Sequence, residues 1–303
     1  MAETDLLRLL PPVLRAREFR LYTEGGRRFV DLWQHGGRAV LGHTPPNLLR
    51  ELKNAANRGL MSPFPHPLEK RLVKALSKLF PDKIFRIYAD DASLHRALES
   101  AGFSLKGGDP IPDPAVVPGT VSGHRISLWR PFLDNPGTAA ATASPGKNFA
   151  GNPILIPILP WSLSPQVLVM EESRSSEFLP SDIISPLILA AATRGIYDLI
   201  AAPERGSTVF PKINKVLYGG PGRQAPGARS GEFLAKTWRR RGIYLTHIPA
   251  LSADSYAALF RRFLDAGFLL PPSPREPLIL PGIMSPGEEA KLAELLSEVL
   301  KDA

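Results

Sequence analysis

Two short β-type runs that meet at a glycine pair constrain this chain more than any other stretch. Residues 18–22 and 28–33 are joined through Gly25-Gly26, and such a pair supplies the positive φ that a tight reversal between strands requires. An apolar patch and Gly42-His43 follow, and then Thr44 stands before Pro45-Pro46. A capping residue ahead of prolines suits the first turn of a helix.

Leu48, Leu49, Leu52, Ala55 and Ala56 continue at helical spacing, with Gly59 as the stop. A second helix is expected from Pro67, with Leu68, Leu72, Val73, Leu76 and Leu79 on one face. Residues 84–89 read as a strand, and Asp90-Asp91 precede a helix that turns Leu94, Ala97, Leu98 and Ala101 inward. Between residues 102 and 151, prolines 110, 112, 114, 118, 131, 136 and 145 alternate with glycines, and only 125–130 reads as a strand. That pattern predicts loop or poorly ordered backbone and the first site of proteolysis. Strands are expected again at 154–159 and 166–171, a long apolar helix from Ser185-Pro186, a strand at 243–248 and a helix from Ser252 to Leu264. Ser285-Pro286-Gly287-Glu288 has the form of a capping box opening the last helix. No internal repeat at a fixed period is visible. Strands alternating with helices predict an α/β architecture with a mainly parallel sheet.

At 303 residues, 44% hydrophobic and 22% charged, the chain can bury a core as one large domain or two modest ones. No apolar run approaches the roughly 20 residues of a membrane span, so no membrane partner is expected. The acidic start of MAETDLLRLLPP argues against a signal peptide and for a cytoplasmic location. With no cysteine there is no disulfide framework, thiolate nucleophile or cysteine-based zinc site. His35, His43, His66, His95, His124 and His247 lack metal-ligand spacing, so no metal is expected. No G-x-S-x-G elbow supports a serine hydrolase. The glycine spacing of a P-loop occurs at 222–227, but Ala228-Arg229 replaces its Lys-Ser/Thr. The net charge of +8 invites a nucleic-acid reading. Its densest cluster, Arg239-Arg240-Arg241 beside Lys236 and Trp238, reads instead as a solvent-facing helix end, so nucleic acid is not expected as a partner.

Residues 21–47 resemble the N-terminal signature of class III aminotransferases, pyridoxal-phosphate (PLP) enzymes of fold type I. Thr23-Glu24-Gly25, Phe29, Asp31, Val40-Leu41-Gly42-His43 and Pro46 sit on that family's pattern. The helix after Ser185 and the stretch 256–270 are similar to later parts of it, and the likeness covers about residues 18–101 and 185–301. Its motifs are nearest to glutamate-1-semialdehyde aminomutase-like members. The resemblance implies a PLP-transferase fold of type I, with a mainly parallel sheet in a large domain and a small α+β domain built from the two chain ends. It assigns residues 1–45 to an N-terminal segment of the small domain. Residues 46–205 become a contracted large domain with the loop-rich 102–151, and 206–303 the C-terminal small domain. It further implies a homodimer.

Chemistry of that type needs a Schiff-base lysine, an acid against the pyridinium nitrogen and a helix N-terminus for the phosphate. The family's phosphate turn corresponds to Ala89-Asp90-Asp91-Ala92-Ser93, where two carboxylates stand in the dianion's place and either reads equally as an N-cap. The acid would be Glu171, ending the run Val167-Leu168-Val169-Met170, although a strand ending in solvated acids reads the same way. The lysine would be Lys215, which opens a partial echo of the family's glycine-rich lysine motif but follows the Ser185 helix instead of preceding it. Lys147 precedes that helix, in a loop. Both lysines also read as solvated loop residues, and His43 as a structural hydrogen bonder. The expectation is a shortened, divergent homologue, non-catalytic or repurposed, with no cofactor and with cofactor-binding residues and ligand unassigned. The alternative is an active PLP-dependent aminotransferase or aminomutase acting on an amino or keto acid, with Lys215 and Glu171 as catalytic residues.

Overall fold

The computed structural model describes residues 3–103, 111–116, 125–133, 154–203, 210–218, 232–234, 237–247 and 251–301. Backbone contacts divide the chain into two compact units. One comprises Met1–Thr44, Phe132–Ala141 and Pro203–Ala303, and the other Pro45–Pro131 and Thr142–Ala202. Lys147 and most of the proline-rich stretch lie outside the described residues.

The chain opens with helix α1 (Glu3–Leu7) and three strands, β1 (Val13–Arg17), β2 (Arg20–Thr23) and β3 (Arg28–Asp31), paired antiparallel in that order. Gly25 and Gly26 take φ of 78° and 77° in the β2–β3 turn, a region open to glycine without a Cβ clash.

The second unit begins with α2 (Pro46–Asn57) and α3 (Leu68–Leu79). The capping residue of α2 is Pro45, with no side-chain cap, so Thr44 does not fill the role expected of it; Pro46 takes the first turn, where a missing N–H costs nothing. Next come β4 (Ile84–Tyr88), α4 (Asp91–Ser100), β5 (Ile126–Trp129), β6 (Ile154–Pro157), β7 (Gln166–Met170) and α5 (Pro186–Ile200). Helices α2 and α3 both pack on α5, whose Leu189, Ala191, Ala192 and Ile196 are buried. Gly195 permits that packing, because a Cβ there would lie 2.8 Å from the Pro160 carbonyl oxygen.

The sheet of this unit has the order β4-β7-β6-β5, and the expectation of a mainly parallel sheet needs correction. Only β5 and β6 pair in parallel; β7 runs antiparallel to both of its neighbours, β4 and β6. The cause is the short β6–β7 connection, residues 158–165, which leaves no room for the helical crossover that parallel neighbours require. Ile126, Ile154, Ile156, Leu168 and Met170 from these strands bury with Leu94, Ala97 and Leu98 of α4 and with Phe103.

The chain then returns to the first unit with α6 (Pro211–Tyr218), β8 (Glu232–Leu234), β9 (Trp238–Arg241), β10 (Tyr244–His247), α7 (Ala253–Asp265), β11 (Phe268–Leu269), β12 (Leu278–Ile279) and α8 (Pro286–Lys301). Strand β11 pairs in parallel with β3, and a second sheet has the order β12-β10-β9-β8. The arginine triplet expected at a solvent-facing helix end is instead the buried interior strand β9. Long arginine stems cover apolar surface as readily as aliphatic chains do when their heads find acceptors. Arg240 donates from Nε to the Gly242 carbonyl at 2.9 Å and from a terminal nitrogen to Asn214 Oδ1 at 2.5 Å.

The box at the start of α8 closes as its sequence predicts. The Glu288 amide donates to Ser285 Oγ at 3.2 Å, and the Ser285 amide donates to Glu288 Oε2 at 2.8 Å. Glu288 also receives Arg20 of β2 through Nε at 2.9 Å and a terminal nitrogen at 2.7 Å, which ties the last helix to the first hairpin. Among the described residues no helix is long and apolar enough to cross a membrane.

Candidate functional site

The turn from β4 into α4 is the first place to look for ligand chemistry, because a helix N-terminus presents unpaired amides to anions. Here the chain's own carboxylates take two amides of the turn. Asp90 caps α4, accepting the Ser93 amide at 2.8 Å, and that bond chiefly holds its carboxyl below the ordinary range. Asp182 Oδ2 accepts the Ala89 amide at 2.9 Å, and Asp91 accepts a hydrogen bond from the Gln166 side chain. The strap that delivers Asp182 runs along the edge of β4. The Asp182 amide donates to the Ile87 carbonyl at 2.8 Å, the Ile87 amide to Ser181 Oγ at 3.0 Å and Tyr88 Oη to the Leu179 carbonyl at 2.8 Å. An incoming dianion would therefore meet three aspartates. Asp182 and Gln166 were not identified from sequence: each is far from the turn along the chain, and no local motif marks them.

Glu171 is at the other end of the sheet. Register pairs Tyr88 with Gln166 and Ile84 with Met170, so residue 171 follows the β7 end that lies beside the start of β4. Five residues of strand, about 16 Å, separate it from the β4–α4 turn. Its carboxylate is half-exposed and ion-paired with Lys83. Among the described lysines of this unit, Lys53, Lys70, Lys74 and Lys78 are exposed on α2 and α3.

Lys215 belongs to the first unit, so the structure assigns it and Glu171 to different units. It is on helix α6, not in the loop its glycine-rich context suggests. Ile213 and Leu217 of that helix face inward, and Lys215 is exposed on the opposite side. The Lys212 amide donates to Glu289 Oε1 at 2.7 Å and its Nζ to the Pro286 carbonyl at 3.1 Å, fixing α6 on α8.

A second polar centre surrounds Asp31 in the first unit. One oxygen of this buried carboxylate accepts the amides of Trp33 at 2.9 Å and Gln34 at 2.8 Å; the other meets His43 Nε2 at 2.9 Å. The residues it holds are strained: Gln34, His35, Gly36 and Gly37 take φ of 51°, 50°, 67° and 104°, and two of the four are not glycine. Trp33 Nε1 donates to Glu276 Oε2 at 2.9 Å, and the Gln34 side-chain Nε2 donates to the Ile279 carbonyl at 3.0 Å. This is a structural network in which His43 is a hydrogen-bonding partner. Among the described residues, no group of three or more His, Asp or Glu could hold a metal ion.

The architecture is the α/β fold of PLP-dependent transferases. Glutamate-1-semialdehyde aminomutase from Pseudomonas aeruginosa PAO1 superposes with a TM-score of 0.63 at 13% identity, covering 96% of this chain and 87% of that one. Plasmodium falciparum ornithine δ-aminotransferase gives 0.63 at 12% identity, over 100% and 99% of the two chains. A serine palmitoyltransferase from S. paucimobilis, solved with bound PLP–myriocin, gives 0.60 at 8% identity over 99% and 96%. At such identities the likeness is one of fold. No family profile matches the chain. In sequence it is 28% identical to an uncharacterised protein of Treponema pallidum (strain Nichols) over 313 aligned positions, 92% of each chain. It is 34% identical to an uncharacterised protein of Borreliella burgdorferi over 94 positions, 30% of this chain and 35% of that one.

Proposed function

We propose that this chain is a shortened, divergent homologue of the class III aminotransferase group that no longer performs transfer chemistry and acts as a homodimeric binding protein. The β4–α4 turn carries the reading. Its Ser93 and Ala89 amides are occupied by Asp90 and Asp182, with Asp91 beside them, and like charges at about 4 Å repel even when well screened. The antiparallel course of β7 supports it, since Glu171 cannot serve a ring bound near a turn about 16 Å away. The described residues do not fit PLP. The two-domain arrangement, with both chain ends contributing to one domain, and the two-fold dimer belong to the same proposal.

The test is incubation with excess PLP, borohydride reduction and peptide mapping by mass spectrometry. Sparse labelling scattered over exposed lysines is the expected result, because any accessible amine reacts slightly with an aldehyde. A stoichiometric adduct on Lys215, abolished by Lys215→Ala, would overturn the proposal in favour of an active aminotransferase or aminomutase.

A further inference from the structure

The arginine triplet is buried in β9, so it is not where the positive charge of this +8 chain meets solvent. Helices α2 and α3 instead display Arg50, Lys53, Lys70, Arg71 and Lys74 on their exposed faces, and Arg58 is exposed just after α2. Among the described residues, none of Arg58, Lys70, Arg71 or Lys74 enters an ion pair. Between these helices, the connection at residues 58–67 presents Met61 at 64% exposure and Phe64 at 52%, flanked by Pro63 and Pro65. Glu51 and Glu69 bracket this stretch, and no acidic residue occurs between them. The base of the loop is anchored: the Leu60 carbonyl accepts the Leu187 amide at 3.0 Å and Ser185 Oγ at 3.4 Å. Ile183, 58% exposed, stands two residues before that anchor. Large apolar side chains are thus held out into water, and the cations nearest them in sequence have no carboxylate partner.

We infer that this α2–α3 connection docks on an anionic lipid surface, with Met61, Phe64 and Ile183 entering the headgroup–acyl boundary and Arg58, Lys70 and Arg71 meeting the headgroup charge. Cations alone would suit any polyanion, but the exposed apolar groups gain only where apolar matter receives them, and paired electrostatic and hydrophobic signals are what hold a peripheral protein on a bilayer. A second copy is the poorer occupant, because each copy carries a net charge of +8 and two copies repel on approach. The absence of a spanning helix does not bear on such docking, which needs none. The inference is independent of the cofactor question.

The test is co-sedimentation of the full chain with vesicles of phosphatidylcholine alone or with roughly one-third phosphatidylglycerol. Binding is expected only to the second, and it should weaken as salt is added. Arg58→Glu/Lys70→Glu/Arg71→Glu and, separately, Met61→Ser/Phe64→Ser should each lower the affinity about tenfold or more, with melting temperatures unchanged because every altered side chain is exposed. Wild-type protein that stays in the supernatant with anionic vesicles would overturn the inference, as would charge-reversed protein that binds as well as wild type. A Met61→Ser/Phe64→Ser variant that binds lipid normally but falls to half the wild-type solution mass would also overturn it, by assigning the loop to a second copy.

Discussion

Asp31 and Asp90 do the same thing in different places, and the contrast shows how one chemistry can preserve a framework or occupy a site. Each carboxylate accepts backbone amides from the residues that follow it. At Asp31 the amides belong to a strained loop, so the bonds hold a backbone shape that the sequence would otherwise resist. At Asp90, helped by Asp182, the amides are those a helix N-terminus and the turn before it would offer to an anion. The chain around Asp31 therefore uses its carboxylate to hold a backbone shape, while the β4–α4 turn spends two of its amides on carboxylates of the chain itself.

The largest effect expected from this contrast is at Asp31. Asp31→Ala leaves two amides and the His43 ring without their acceptor inside a buried network, and should destabilise the fold by about 3–5 kcal/mol in urea denaturation. A loss under about 1 kcal/mol would break the comparison by showing that the strained loop does not depend on its carboxylate.

Glu288 tests how firmly the chain-end framework is tied. Burial would raise its carboxyl pKa, but the Arg20 guanidinium and the Ser285 amide outweigh that and bring it down to about 2. A carboxyl depressed in the folded state contributes stability that is present above its unfolded value near 4.3 and lost as pH falls through about 2. Glu288→Gln should therefore cost about 2 kcal/mol at neutral pH, allowing for solvent screening, and flatten the stability profile between those limits. An unchanged acid limb in the variant would remove Glu288 from the account.

A smaller effect sharpens the other side of the comparison. In Asp90→Gly/Asp182→Ala the turn regains free amides, and added inorganic phosphate should raise the melting temperature by about 2 °C or more, while wild type does not respond. Equal responses in the two proteins would mean that the carboxylates do not block the turn.

Local punctuation was legible in the sequence. Gly25-Gly26, the Asp90 cap, Gly59 after α2 and the Ser285–Glu288 box are each set by a few adjacent residues, and each is found where the pattern points. The direction of β7 was not read, because a run such as Val167-Leu168-Val169-Met170 is apolar whichever way the strand runs; the length of the 158–165 connection was the available signal. Strand β9 was misread for a different reason. Charge in a sequence reads as a mark of exposure, yet β9 is four consecutive buried residues, three of them arginine, and Arg240 bonds to Gly242 and Asn214, partners that no local pattern reveals. Lys215 likewise took its loop assignment from neighbouring glycines, although Ile213 and Leu217 already carried the helical spacing.

The central claim is that the chain's own carboxylates have taken the place of an anionic cofactor, and the most direct measurement is a titration of the purified protein with PLP followed by visible absorbance. The account predicts spectra that remain the sum of protein and free cofactor at every ratio. A shifted band that saturates at one cofactor per chain and disappears in Lys215→Ala would contradict it.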